Sequence, residues 1–483
     1  MAQRLTLVQC KQTCSSEVAL HDNGPLLVKS TRSAVGEHVA ASLPRHRAAL
    51  RVGMVTLVAA LVGTQGSASA QLRGEKPEVV KVNDRVYCAT GYALGNSICV
   101  VTDDSLVIID TTESPQAARD ILAAFRKISP LPIQHIIYTH FHGDHINGTR
   151  MLAENKPKII AQALHMPELM KYQLLAAYNQ RLNTVQWGAM LPAERRGISL
   201  AIDPRNIERA YMPPTETFDA EHKFEQGGVR FELYHAQGET VDHLFVWLPE
   251  LETLCPGDLV YPSFPMLASP MKPDRPVLTW AESVERMRKF RPKHLVGSHG
   301  LPLSGADRVD VVLERYSRAI RFVHDETVKG LNAGLSLDEI RRCTRLPEHL
   351  AAEPYLAPLY GRLEWGINGV YRQYTGWYDF NPAHLNPGPP QEFYRALAEA
   401  SSVEVILSRA QRALDEKQPQ LALELTDVVL GAEPDNLSCH VLRAVALESL
   451  ATSAVNTVER NIYRGAAQSH KEKASAAAAN SRR

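Results

Sequence analysis

The stretch IIYTHFHGDHINGT, residues 136–149, places His140, His142, Asp144 and His145 directly after an apolar run. Histidine supplies only 18 of the 483 residues, so three within six positions point to a ligand loop rather than a solvated turn. A catalytic zinc takes three nitrogen or oxygen ligands and keeps one position open. Two zincs about 3.5–4 Å apart need two such sets and a bridging carboxylate. One loop cannot supply all of these, so the fold has to bring other strand ends to this one.

Three later segments offer the missing side chains. HAQGETVDH contains Glu239 and His243, LCPGDLV contains Asp258, and VGSHG contains His299. Each follows a β-rich run and lies beside a glycine, where the backbone can turn sharply. Singly each histidine would more often be structural than ligating; in this order behind H-x-H-x-D-H they form a set.

The runs between these motifs predict alternating strands and helices over residues 71–305. RVYCAT, SICVVT and SLVIIDT read as strands. SPQAARDILAAFRKIS has a serine cap, proline at the first helical position and apolar residues at helical spacing. IQHIIYTH is the next strand, KIIAQA another, and a largely helical insertion runs through QRLNTVQWG. FEQGGVRFELYHAQ and HLFVWLPELETLCPGD read as hairpins, and KHLVGSHG as a closing strand and loop. The expectation is an α/β fold, an αββα sandwich with its site at strand ends. Residues 306–470 turn helical, and ALDEKQPQLALELTDVVLGAEPDNLSCHVLRAVALESL has a tetratricopeptide-like rhythm. A plain helical bundle fits that stretch equally well. The tail 471–483 is of low complexity and expected to be disordered.

Lys+Arg and Asp+Glu both total 53, giving zero formal net charge and no basic stripe, which excludes nucleic acid as the main partner. No run reaches the roughly 18 apolar residues that span a bilayer. Residues 1–70 read as an extension ending in an export signal: RHRAALRVG is basic, MVTLVAALVG apolar, and SASAQ places cleavage after Ala70. The expected location is the periplasm or the exterior. The seven cysteines include no C-x-x-C, so neither a disulfide scaffold nor a zinc ribbon is expected. Cys88 and Cys99 are open to either a bridge or two buried thiols.

The motif order LVIID, THFHGDH, GET, GD and SHG resembles the metallo-β-lactamase superfamily. Glutamate in GET, where the superfamily commonly has histidine, resembles its alkylsulfatase branch, as do YMPPTETFD, FVHDETVKGLNAGLSLDEI and NGVYRQYTGWYDFNP. The likeness covers roughly residues 75–470, including a helical dimerisation domain, and implies a homodimer. That branch usually continues into a sterol-carrier-like domain, which these residues do not include. The resemblance implies that His140, His142 and Glu239 hold one Zn²⁺, that Asp144, His145 and His299 hold a second, and that Asp258 bridges them. His243 is either an alternative to Glu239 or a residue orienting Asp258. Such a donor set also tolerates manganese or iron.

Between two zincs, water ionises near neutral pH and becomes the nucleophile, with Asp144 and Asp258 at the reacting centre. The implied reaction is hydrolysis of an alkyl sulfate ester to alcohol and sulfate. Three departures bear on the substrate. The loop after Asp258 lacks the family's LRGA-type arginine, and its nearest cations are Lys272 and Arg275. Trp365-Gly366 replaces the family's His-Asn. SHG replaces SHH. Arg181 and Trp187 fall where the family has a substrate-facing arginine and aromatic. The alternatives are the same site acting on a lactone, phosphodiester or β-lactam, or a metal-containing scaffold protein.

Overall fold

The computed structural model describes residues 76–187 and 210–480. The expected export signal, the cleavage position after Ala70, and Cys10 and Cys14 lie outside the described residues.

Two sheets form the middle of the molecule. The first runs in the order β1 (Glu78–Lys81), β2 (Val86–Thr90), β3 (Ser97–Val101), β4 (Leu106–Ile109), β5 (Ile133–Ile137), β6 (Lys158–Gln162) and β7 (Glu216–Phe218). Its first four strands are antiparallel and its last four parallel. The second sheet places β8 (Glu221–Gln226), β9 (Val229–His235), β10 (Leu244–Leu248), β11 (Thr253–Cys255), β12 (His294–Leu295) and β13 (Leu303–Ser304) side by side. KHLVGSHG, expected as the closing strand, supplies β12, and β13 adds a further antiparallel edge strand, too short to carry a period-two pattern.

Apolar faces explain the layering. Val86, Ile98, Val107, Ile109 and Ile137 from one sheet pack against Phe231, Leu233, Leu244 and Val246 from the other. Strand β4 is buried on both faces, which is why LVII reads as a continuous apolar run rather than an alternating one. Each such side chain contributes about 1.5–3 kcal/mol by leaving water. The outer face of the first sheet is covered by α1 (Pro115–Arg126), which turns Ala118, Ile121 and Phe125 inward. Ser114 caps it, accepting from the Ala117 N–H at 3.0 Å, with Pro115 at the first helical position. Two helices of the insertion follow β6: α2 (His165–Gln173) and α3 (Ala176–Trp187).

On the outer face of the second sheet lie α4 (Val277–Arg288), α5 (Ala306–Asn332), α6 (Leu337–Cys343) and α7 (Leu363–Tyr374). Trp280 of α4 is fully buried there and donates its indole N–H to the Leu259 carbonyl at 2.9 Å. The chain then forms α8 (Pro390–Ser401), α9 (Val403–Asp415), α10 (Pro419–Ala432), α11 (Leu437–Ser453) and α12 (Thr457–Asn480). Helix α12 therefore runs into the segment expected to be disordered, because KEKASAAAAN is built of strong helix formers. Asn461 of α12 donates to the Gln186 carbonyl of α3 at 2.6 Å, tying this helix back to the insertion.

Cys88 and Cys99 are free and buried. They sit on neighbouring strands one register position apart, Cys88 opposite Ile98 and Cys99 opposite Tyr87. A one-residue offset sends the two side chains to opposite faces: Cys88 packs between the sheets and Cys99 beneath α1. That geometry rules out the bridge.

Candidate metal centre

Every side chain of the cluster projects from a connection at a strand end, Asp144 and His145 from the one-turn helix Gly143–Ile146 and Asp258 from the 3-10 turn Gly257–Leu259. His140, His142, Asp144 and His145 follow β5, Glu239 and His243 follow β9 or lead into β10, Asp258 follows β11 and His299 follows β12. The Asp258 loop needs Gly257: its φ is +58°, and a Cβ there would lie 2.5 Å from the His243 ring.

The atoms converge. Asp258 Oδ2 lies 3.2 Å from His299 Nε2, 3.5 Å from His145 Nε2 and 4.0 Å from His140 Nε2. Asp144 reaches the same place, with carboxylate oxygens 3.5 Å from His299 Nε2 and 3.6 Å from His145 Nε2. His142 Nδ1 is 2.9 Å from His140 Nε2 and 3.8 Å from Glu239 Oε1. Two groupings have all their ligand atoms within 4.8 Å of one another: His140, His145 and Asp258, and Asp144, His145 and His299.

The rings are oriented from behind. His145 Nδ1 donates to Asp110 Oδ2 at 2.8 Å, so Nε2 faces the cluster with its lone pair. Thr139 donates its hydroxyl to the same Asp110 oxygen at 2.8 Å and lies 3.1 Å from His140 Nδ1, which turns His140 Nε2 toward the cluster, where it meets His142 Nδ1. His299 Nδ1 donates to the Leu94 carbonyl at 2.9 Å. His243 spends its Nε2 on the Asp258 backbone N–H at 3.0 Å, and its ring stacks 4.6 Å from that of His140.

Asp110 was not singled out from the sequence, although it ends the LVIID run. It is fully buried, has a φ of +59°, and accepts from the Thr139 N–H at 2.9 Å and the Ser298 hydroxyl at 2.7 Å as well. An aspartate closing an apolar buried strand is the signal that would have found it.

These groups fit a cation. His145 Nε2, Asp258 Oδ1 and Glu239 Oε2 are buried without a hydrogen-bond partner, a costly state unless a ligand meets them. Charge leads to the same conclusion. Burial opposes a proton on His299, yet the Asp258 and Asp144 carboxylates outweigh it and lift its pKa to about 9. Likewise His145 is raised well above its ordinary value by Asp258, Asp144 and Asp110, against its burial. Burial dominates at His140 and His142 and pushes both far down, toward the neutral form that ligates metal.

The substrate residues expected from the sequence separate. Arg275 is buried and in ionic contact with Glu239 Oε1. Lys272 is half-buried on the same loop, and its charge is the largest electrostatic influence on His142 after burial. Trp187 lies tilted against Tyr360 with ring centroids 4.9 Å apart, and Tyr360 in turn adjoins Tyr261 at 5.6 Å. Arg181 stands exposed on α3 and is not brought into the cluster. Trp365-Gly366 lies on α7, where Gly366 packs against Leu267 and Val323.

A model of the metallo-β-lactamase superfamily matches residues 91–299, and one described as alkyl sulfatase dimerisation matches residues 336–473. The fold and its donor set thus define a superfamily of hydrolases. Among curated relatives, a linear primary-alkylsulfatase from a Pseudomonas strain is 30% identical over 374 residues, covering 74% of this chain and 71% of that protein. The alkyl/aryl-sulfatase BDS1 of Saccharomyces cerevisiae is 27% identical, covering 79% of this chain and 62% of its own. The solved structure of the stereoselective inverting sec-alkylsulfatase Pisa1 from Pseudomonas sp. superposes with a TM-score of 0.73 at 26% identity, over 82% of this chain and 66% of that one. The chain belongs to the alkylsulfatase branch of the metallo-β-lactamase superfamily.

Proposed function

We propose that this protein hydrolyses sulfate esters of alkyl alcohols to alcohol and inorganic sulfate. The carrying observation is a complete imidazole and carboxylate set, with buried unpartnered ligand atoms, in a chain 30% identical to a linear primary-alkylsulfatase. His140, His142 and Glu239 would hold one zinc, Asp144, His145 and His299 the other, and Asp258, whose Oδ2 faces three imidazoles, would lie between them. Zinc bound there would supply Lewis acidity and ionise water near neutral pH.

The chain's own residues do the rest. Asp110 and the Leu94 carbonyl hold His145 and His299 with Nε2 turned to the centre. His243 holds the Asp258 backbone. Apolar side chains beside the centre and on the insertion would take the alkyl chain. Phe141 lies 4.9 Å from the His142 ring, Tyr172 lies 5.6 Å from Phe141, and Leu174, Leu175 and Tyr178 follow, exposed, on the same insertion. The apolar residues exposed on α8, α9 and α11 would meet a second copy of the chain in a homodimer. Export through the segment ending at Ala70 completes the reading.

The test is sulfate release from dodecyl sulfate by zinc-loaded protein beside His142→Ala. Release by the native chain that vanishes in the variant is expected. A native protein that carries zinc and releases no sulfate overturns the substrate.

A further inference from the structure

Lys272 and Arg275 are three residues apart on the loop between Asp258 and α4, and the sequence treats them as equivalent replacements for a missing sulfate-reading arginine. The structure does not. Arg275 is used up. One guanidinium nitrogen is in contact with Glu239 Oε1, and the other donates to the Met266 carbonyl at 2.6 Å. Its guanidinium carbon lies over the Trp280 ring, 5.8 Å from the centroid, and the Tyr360 and Tyr261 phenols also act on its charge.

The backbone around it is pinned as well. The Arg275 N–H donates to the Leu267 carbonyl at 3.2 Å, and Gln373 of α7 donates to the Arg275 carbonyl. Arg372 of α7 forms a two-pronged ion pair with the adjacent Asp274, at 2.5 and 2.9 Å. Helix α7 comes this close because residue 369 is glycine: a Cβ there would stand 2.6 Å from the Ala268 Cβ. A buried arginine so fully engaged cannot turn to a substrate without breaking its buried ion pair with Glu239.

Lys272 is in the opposite state. Among the described residues it makes no hydrogen bond or ion pair, it is half-buried, and the groups that its charge senses are Arg275, Glu239, Asp144 and Asp258. A lysine on a flexible stem is a point charge able to follow an anionic group.

We propose a division of labour, resting on the alkyl sulfate reading: Arg275 is a positioning residue that holds Glu239 in place, and Lys272 is the cation that binds the substrate's sulfate group. The experiment uses dodecanesulfonate, an uncleavable analogue, with the full-length zinc-loaded protein and its Lys272→Ala, Lys272→Arg and Arg275→Lys variants. Binding is followed by calorimetry and zinc per chain by elemental analysis.

Lys272→Ala is expected to weaken sulfonate binding and raise KM for dodecyl sulfate on the order of tenfold or more, with zinc content unchanged. Lys272→Arg is expected to restore binding. Arg275→Lys is expected to lower zinc occupancy or affinity while sulfonate binding survives in the zinc-replete fraction. Native-like sulfonate binding by Lys272→Ala overturns the assignment, as does its loss in Arg275→Lys with zinc intact. A native protein that binds zinc but neither binds the sulfonate nor releases sulfate refutes the alkyl sulfate reading itself.

Discussion

At the strand ends, His145 Nε2, Asp258 Oδ1 and Glu239 Oε2 are buried with nothing to bond to, whereas on α11 the side chains of Leu437, Val441 and Val445 stand exposed in a row. Both regions are incomplete, in opposite senses. A buried unsatisfied polar group costs about 1–3 kcal/mol, so several in one place persist only where a charged ligand repays them. An apolar stripe at i, i+4 and i+8 costs little singly and is satisfied by another apolar surface. The first region calls for an ion and the second for a protein, and each should respond to its own kind of perturbation.

The sharpest break is His145→Ala. It removes the imidazole shared by both groupings of ligand atoms and should lower sulfate release by about a thousandfold or more, with loss of bound metal. Asp110→Asn comes next. It keeps the shape but weakens the hold on His145 and Thr139, and a chelator competition should show metal affinity down by about 10–100-fold. On the other region, Val441→Glu with Val445→Glu should weaken self-association by about tenfold or more in sedimentation experiments while leaving metal content unchanged. An effect of the α11 pair on metal content, or of Asp110→Asn on association, would dissolve the contrast.

The smallest effect concerns neither region. Glu353 is buried at the base of α5, bonded by Arg308 at 2.9 Å and Arg315 at 3.1 Å. Burial works against its charge, but those guanidiniums hold its carboxyl below the usual range. A depressed carboxylate stabilises the fold above its unfolded pKa, and that contribution is lost as pH falls through the lowered folded value. Glu353→Gln should therefore cost about 1 kcal/mol in urea unfolding at neutral pH, and the gap from native should close below about pH 4.

Much of this centre was legible because its residues sit where sequence patterns change, at the ends of apolar runs beside glycines. His140, His142, Asp144 and His145 come from one loop, and Glu239, Asp258 and His299 each follow a recognisable strand. The supporting contacts were not legible. Asp110 meets His145 across 35 positions, Arg275 meets Glu239 across 36, and Asp274 meets Arg372 across 98. No local period records such pairings. The Cys88–Cys99 question depended on strand register, which shifts by one residue without changing composition. The extent of α12 turned on propensity, where low complexity reads as disorder although alanine and lysine favour helix.

The central claim is that the buried imidazoles and carboxylates form one cation site organised around Asp258. Zinc bound per chain, measured after loading and exhaustive dialysis for the native protein and Asp258→Asn, tests it most directly. The account predicts about two ions for the native chain and a marked loss in the variant, because Asp258 Oδ2 faces His140, His145 and His299 together. Native protein that retains no zinc, or a variant that retains it fully, would contradict the account.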